Sequence, residues 1–273
     1  MASRVSRWTC HKLECLADFV DKVSADARGG GCLVDLFAGP GRLACREGAC
    51  VGGATIEAIE PRALRIPHPF SRLIFIARDE PTSAALADVV SPLDPSRSAR
   101  IITGNPVREA VLRQVFDDIP RSTTGFALID PPGYSSLRWS VIKKLAQHGA
   151  DWKGRKMDLL VLFPLEMALL RNLTRKECEN SINRLYGNTN WQEIRKKRLD
   201  EKLNLDKVRK ELVELFKSGL KGLDYKHVDD AEPARFSNPP YYHVIWASDR
   251  ASRAPDLKET WGKERYLPCE MFH

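Results

Sequence analysis

The sequence predicts an α/β protein: a mostly parallel sheet with an antiparallel hairpin at its edge and a helical insertion. Three observations lead there. Five short apolar runs alternate with helical patterns as far as Phe163, which implies βαβ units. From Glu166 to Leu220 the spacing is helical and no strand pattern occurs. Two further runs, LDYKHV at 223–228 and YYHVIWAS at 241–248, then read as a closing strand pair.

In chain order, residues 8–23 read as a helix, extending to about residue 25, with Leu13, Leu16, Phe19, Val20 and Val23 on one face. A Gly run at 29–31 precedes the first strand, CLVDLF at 32–37. AGPGR follows, then a loop with Gly48, Gly52 and Gly53, and a helix is expected over 54–64. RLIFIA (72–77) is the second strand, and Pro81 marks the start of the next helix. RIIT (100–103) is the third strand, followed by Gly104-Asn105-Pro106 and a helix over 107–116. GFALID (125–130) is the fourth, followed by PPGY and a helix over 137–147. MDLLVLF (157–163) is the fifth. In the insertion at 166–220, Leu205, Val208, Leu212, Leu215 and Phe216 form a stripe on the last helix. With no repeat and no clear linker, the expectation is one domain over 1–273.

Composition narrows the class. The chain has 273 residues, 43% hydrophobic and 29% charged, which excludes a disordered tail, a collagen-like repeat and a small disulfide scaffold. The most apolar stretch, 159–170, is too short to span a bilayer and holds Pro164 and Glu166. The first ten residues lack the apolar core of a signal peptide, so a cytoplasmic protein without membrane association is expected. Seven cysteines with no C-x-x-C favour free thiols over disulfides or zinc. His227 and His243 look isolated, and no metal site is expected. The net charge is +7, and residues 195–226 hold 11 Lys or Arg against six Asp or Glu.

In open α/β sheets ligands bind at the carboxyl ends of the strands. The first such loop is Asp35-Leu36-Phe37-Ala38-Gly39-Pro40-Gly41-Arg42. Its glycines permit a sharp turn and close approach of a ligand to Phe37, Ala38, Gly39 and Gly41. Amides at a following helix start would favour an anion or carboxylate, and Asp35 an ammonium. Gly39 to Ala44 also satisfies G-x-G-x-x-A, but the second strand begins too late for a dinucleotide unit. After the second strand, Asp79 reads either as a ribose ligand or as a helix cap. Gly104 and Asn105 read either as an adenine-edge contact or as an Asn-Pro turn. Asp130-Pro131-Pro132-Gly133-Tyr134 follows the fourth strand and is the most specific motif in the chain. D-P-P-aromatic at this place is the signature of exocyclic amine methylation. The Asp carboxylate and the Pro131 carbonyl accept the amine hydrogens, and an aromatic stacks on the base. Here Gly133 fills the aromatic slot and Tyr134 comes one residue later.

These pieces together resemble a class I S-adenosylmethionine-dependent methyltransferase. More narrowly, the chain is similar to the bacterial three-Cys-motif partner protein family. The similarity is carried by Trp8 and Lys12 (W-x-x-x-K), DLFAGPGR at 35–42, LIFIARDE at 73–80 and LIDPPGY at 128–134. RLYGNTNW at 184–191 and YYHVIWAS at 241–248 extend it across nearly the whole chain. The resemblance implies a Rossmann-like seven-stranded methyltransferase sheet, S-adenosylmethionine as cofactor, and a radical-S-adenosylmethionine-like partner carrying the cysteine motif. It also implies an acid where this chain has Ala77.

The expected function is therefore methylation of an amine, on a nucleobase or another acceptor, at Asp130, Pro131 and Tyr134. The alternative is a methyltransferase-fold partner or nucleic-acid-binding scaffold with weak or no catalysis. Arg195, Lys196, Lys197 and Arg198 could meet phosphates, with Tyr186 and Trp191 stacking on bases. The other reading of that stretch is a solvated helix with its aromatics buried beneath. A nicotinamide oxidoreductase rests on the glycine match alone, and no G-x-S-x-G elbow supports a hydrolase.

Overall fold

The computed structural model describes residues 4–27, 30–46, 54–149, 156–233 and 242–262. Gly29, Gly48, Gly52, Gly53, Cys50, Cys269, Tyr241 and most of the turn before Tyr241 lie outside them. The strands are β1 (Cys32–Ala38), β2 (Arg42–Ala44), β3 (Thr55–Glu57), β4 (Arg72–Ala77), β5 (Ala99–Thr103), β6 (Gly125–Ile129), β7 (Asp158–Phe163), β8 (His227–Ala231) and β9 (His243–Ser248). Seven of them form a sheet in the order β5-β4-β1-β6-β7-β9-β8, and β2 and β3 form a separate hairpin. β1, β4 and β5 run parallel, while β9 is antiparallel to both β7 and β8. The mostly parallel sheet with an antiparallel edge is the architecture that the apolar runs predict.

The chain divides into two compact units: Met1–Ile119, Thr123–Phe126 and Pro255–His273 in one, Pro120–Ser122 and Ala127–Ala254 in the other. In the first, β4 lies between β1 and β5 and is buried from Leu73 to Ala77. Burial on both faces explains why β1 and β4 read as unbroken apolar runs rather than alternating ones. Helix α1 (Arg7–Ala27) buries the predicted stripe from Leu13 to Val23. Against it packs a helix the sequence did not reveal, Ala254–Trp261. Trp261 meets Phe19 at 5.3 Å between ring centroids, and the Thr260 hydroxyl donates to Asp18 at 2.6 Å.

The expected helix over 54–64 is a correction. Residues 55–57 pair with 42–44 as the β2–β3 hairpin, and only Ile59–Ala63 is helical (α2). The Ala58 amide donates to the Gly41 carbonyl at 2.9 Å, closing the hairpin at its base. Along its edge Val5 donates to Ala44 at 2.8 Å and accepts from Arg46 at 3.0 Å. Helix α3 (Glu80–Val90) begins with Pro81 in its first turn, as predicted, and α4 spans Glu109–Asp118. Cys15, Cys32 and Cys178 form no disulfide. Cys10 and Cys45 sit together in a small apolar cluster with Leu13 and Ile56, their sulfurs 3.9 Å apart, too far for a bond between them.

In the second unit, α5 (Trp139–Gln147) precedes β7, and a π-helical turn, Leu165–Leu170, follows it directly. Helices α6 (Glu179–Tyr186), α7 (Trp191–Leu199) and α8 (Leu205–Lys221) complete the insertion. Phe163, at the end of β7, packs on Phe216 of α8 at 4.7 Å and on Tyr186 of α6 at 6.2 Å. The α8 stripe is Val208, Leu212, Val213, Phe216 and Leu220, whereas Leu205, expected on it, is 42% exposed. The strand expected at 223–228 begins only at His227 and runs through two aspartates. One of them, Asp230, takes His243 at 2.7 Å and Lys217 at 2.5 Å, so His243 is not isolated. Among the described residues no helix is long and apolar enough to cross a membrane, and no group of three or more His, Cys, Asp or Glu could hold a metal.

Candidate functional site

The loop after β1 is set by its first residue. Asp35 is buried in the strand, and its Oδ1 accepts from the Phe37 amide at 3.0 Å. Two residues on, the Gly39 amide donates to Glu60 Oε1 at 2.6 Å. Glu60 stands in the first turn of α2 and is 1% exposed. Two buried carboxylates thus line one five-residue turn. The expectation of free amides at a helix start is corrected: Gly41 leads into β2, and the Gly39 amide is given to a carboxylate. A turn lined this way repels a pyrophosphate and attracts a cation, which counts against a dinucleotide.

The loop glycines differ from each other. A Cβ built on Gly39 would meet nothing within 4 Å. Gly41 has φ +77°, and a Cβ there would press on Leu86 and Val89 at 3.1 Å. Gly104 has φ +153°, and its Cβ would stand 2.6 Å from Val111. Gly41 and Gly104 are therefore demanded by backbone and packing, while Gly39 borders open space.

At the end of β4, Ala77 is buried and offers no polar group. Asp79 caps α3: its Oδ1 accepts from the Thr82 amide at 3.1 Å and hydroxyl at 2.6 Å, and its Oδ2 from Arg78 at 3.2 Å. These bonds, Thr82 first, hold its carboxyl below the usual range. Of the two readings of Asp79, the cap is the one observed. Asn105 likewise uses its side-chain oxygen in an Asn-Pro turn, accepting from Val107 at 3.0 Å.

In the second unit Asp130 follows β6 and is half-buried, Pro131 is buried, and Gly133 is extended, with nothing within 4 Å of a Cβ placed on it. Tyr134 turns inward: it is 7% exposed, in a 3₁₀ turn. Burial and a hydrogen bond with Cys178 push its hydroxyl up to about 12. It leaves little open face for stacking.

The basic stretch is largely engaged. Arg195 pairs with Glu179 at 3.3 Å, Lys197 with Glu211 at 3.3 Å, and Arg198 donates to the Leu203 carbonyl at 3.3 Å. Trp191 and Tyr186 are buried, bonded to Asn183 at 2.7 Å and to the Leu212 carbonyl at 3.0 Å. Neither offers a face to a base.

Sequence reasoning missed Glu60 and the Asp230–His243 pair. The signal for Glu60 was an acid set between the apolar Ile59 and Pro61.

No family model matches the chain, and no curated protein matches it. Among solved structures, TYW2 of M. jannaschii in complex with AdoMet is similar over 84% of this chain and 73% of its own, at 8% identity and a TM-score of 0.40. TYW2 of P. horikoshii in complex with MeSAdo is similar over 84% and 60%, at 12% identity and 0.36. A conserved hypothetical protein of Streptococcus pyogenes is similar over 51% and 74%, at 18% identity and 0.29. At these values the similarities assign neither activity nor ligand to this chain.

Proposed function

We propose that the protein is an S-adenosylmethionine-dependent methyltransferase acting on an amine. The observation that carries this reading is the pair of buried carboxylates, Asp35 and Glu60, on the Gly39 turn. They fit a ligand bearing an ammonium and a sulfonium, and the open space at Gly39 fits close approach of that ligand to the backbone. When bound, S-adenosylmethionine supplies an electrophilic methyl group. Asp35 and Glu60 would bind its cationic end, with Phe37, Ala38 and Gly39 as backbone contacts.

Asp130 would then accept one hydrogen of the acceptor amine and the Pro131 carbonyl the other, turning the nitrogen lone pair outward. The open position at Gly133 leaves room for a wider acceptor than an aromatic there would allow. The acceptor class, nucleobase or small amine, belongs to this proposal.

The test is calorimetric titration with S-adenosylmethionine, with NAD as control. One-to-one binding that weakens roughly tenfold or more in Glu60→Gln and in Asp35→Asn supports the reading. Gly39→Val, which fills open space rather than removing a buried partner, separates lost binding from lost folding. Binding unchanged in all three variants overturns it. Methyl transfer that survives Asp130→Ala overturns the amine-positioning step.

A second reading, a partner or scaffold with weak catalysis, is favoured by one observation: no acid ends β4, and Asp79 is committed to the helix cap. On that reading cofactor affinity is low and a radical-S-adenosylmethionine-like protein or a nucleic acid is the binding partner. A tight stoichiometric complex with S-adenosylmethionine counts against it.

A further inference from the structure

A second concavity lies within the first unit, at the amino ends of β4 and β5, opposite the strand ends that carry the Gly39 turn. It encloses about 750 Å³ and is bordered by three arginines, Arg72, Arg97 and Arg100. That volume is in the range of small-molecule sites, roughly 300–1,000 Å³.

Its charges are organised unequally. Asp118 gathers two of the arginines, taking Arg100 on its carboxylate and Arg72 on its backbone carbonyl. Asp94, the other acid on the rim, is spent on its own loop. It accepts from the Ser96 hydroxyl at 3.1 Å, the Ser98 amide and hydroxyl at 2.9 and 2.8 Å, and the Ala99 amide at 2.7 Å. These bonds, working against burial, hold its carboxyl below the usual range. The same loop carries Arg97 at φ +54°, a conformation L-residues rarely adopt. The Arg97 amide is tied to the Asp94 carbonyl at 3.1 Å, while its exposed guanidinium has no partner among the described residues. Three guanidiniums thus face two acids, one of them filled by backbone and hydroxyl donors. The lining also includes four apolar residues, Leu64, Pro69, Phe70 and Leu93.

We propose that this groove binds a small organic phosphate, with Arg97 and Arg100 holding the phosphate and the apolar lining residues covering its apolar portion. Guanidinium forks match phosphate oxygens in pairs, and a dianion suits a rim with an excess of positive charge. The proposal is independent of the methyltransferase reading.

Phenyl phosphate tests it without resembling an adenosine cofactor. Calorimetry should give saturable one-to-one binding to the whole chain, with phenol and inorganic phosphate both weaker. Arg97→Gly should weaken binding roughly tenfold or more with no loss of thermal stability, since glycine adopts φ +54° freely. Arg100→Ala should weaken it similarly, and Arg113→Ala, on the exposed face of α4, should leave it unchanged. The proposal is overturned by the absence of saturable binding at millimolar ligand. It is equally overturned by binding that survives both Arg97→Gly and Arg100→Ala, or by inorganic phosphate binding as tightly as phenyl phosphate.

Discussion

The glycines after the sheet strands and the glycines of the helical insertion are the same residue kept for opposite reasons. Gly39 and Gly133 border open space. Gly187 and Gly219 are pressed onto one indole: a Cβ on Gly187 would stand 2.4 Å from Trp139 Cδ1, and one on Gly219 2.7 Å from Trp139 Cη2. Trp139 meets Phe216 edge-on at 5.5 Å, so the two closed glycines seat an aromatic stack. A glycine with nothing beside it is not held there by packing. A glycine in contact serves packing. Gly41 and Gly104 belong with the second kind, although the motif placed them with the first.

That division can be broken by substitution. The largest effect is expected at Gly187→Ala, where a clash adds to a φ of +70°; a loss of about 3 kcal/mol in urea unfolding is expected. Gly219→Ala should follow at about 2 kcal/mol, since only the indole must shift. Equal stability of these variants and the wild type would remove the distinction.

Carboxylates divide in the same way. His243 first, then Lys217, holds Asp230 down to about 2, from an ordinary 3.8. Because the folded value is depressed, this stability is present above pH 4 and is lost as pH falls from about 4 to 2, amounting to roughly 2 kcal/mol. Thermal unfolding against pH should show this acid loss in the wild type and a shallower one in Asp230→Asn. The smallest effects on stability are expected at the open glycines: Gly39→Ala and Gly133→Ala should stay within about 0.5 kcal/mol of wild type. Gly39→Ala should nonetheless weaken S-adenosylmethionine binding, which calorimetry reads directly.

The sheet was legible because β1, β4, β6 and β7 are buried on both faces, which leaves continuous apolar runs. The β2–β3 hairpin was not, since its three-residue strands are only partly buried and give a period no length in which to appear. The last-but-one strand was read four residues too early because Asp229 and Asp230 mimic a turn; in β8 Asp229 accepts from the Ser252 hydroxyl and the Arg253 amide, and Asp230 takes His243 and Lys217. Asp35 and Asp130 were readable from motifs. Glu60 was not, because a buried carboxylate is defined by what folds over it, and here that is a backbone amide 21 positions earlier.

The clasp between Ala58 and Gly41, repeated by the Cys45 amide on the Ala54 carbonyl at 2.7 Å, has a practical consequence. Both bonds join backbone to backbone, so side chains on β2 and β3 can be exchanged without removing either, and the Ala58 and Cys45 amides become slow-exchanging reporters of whether the hairpin is closed.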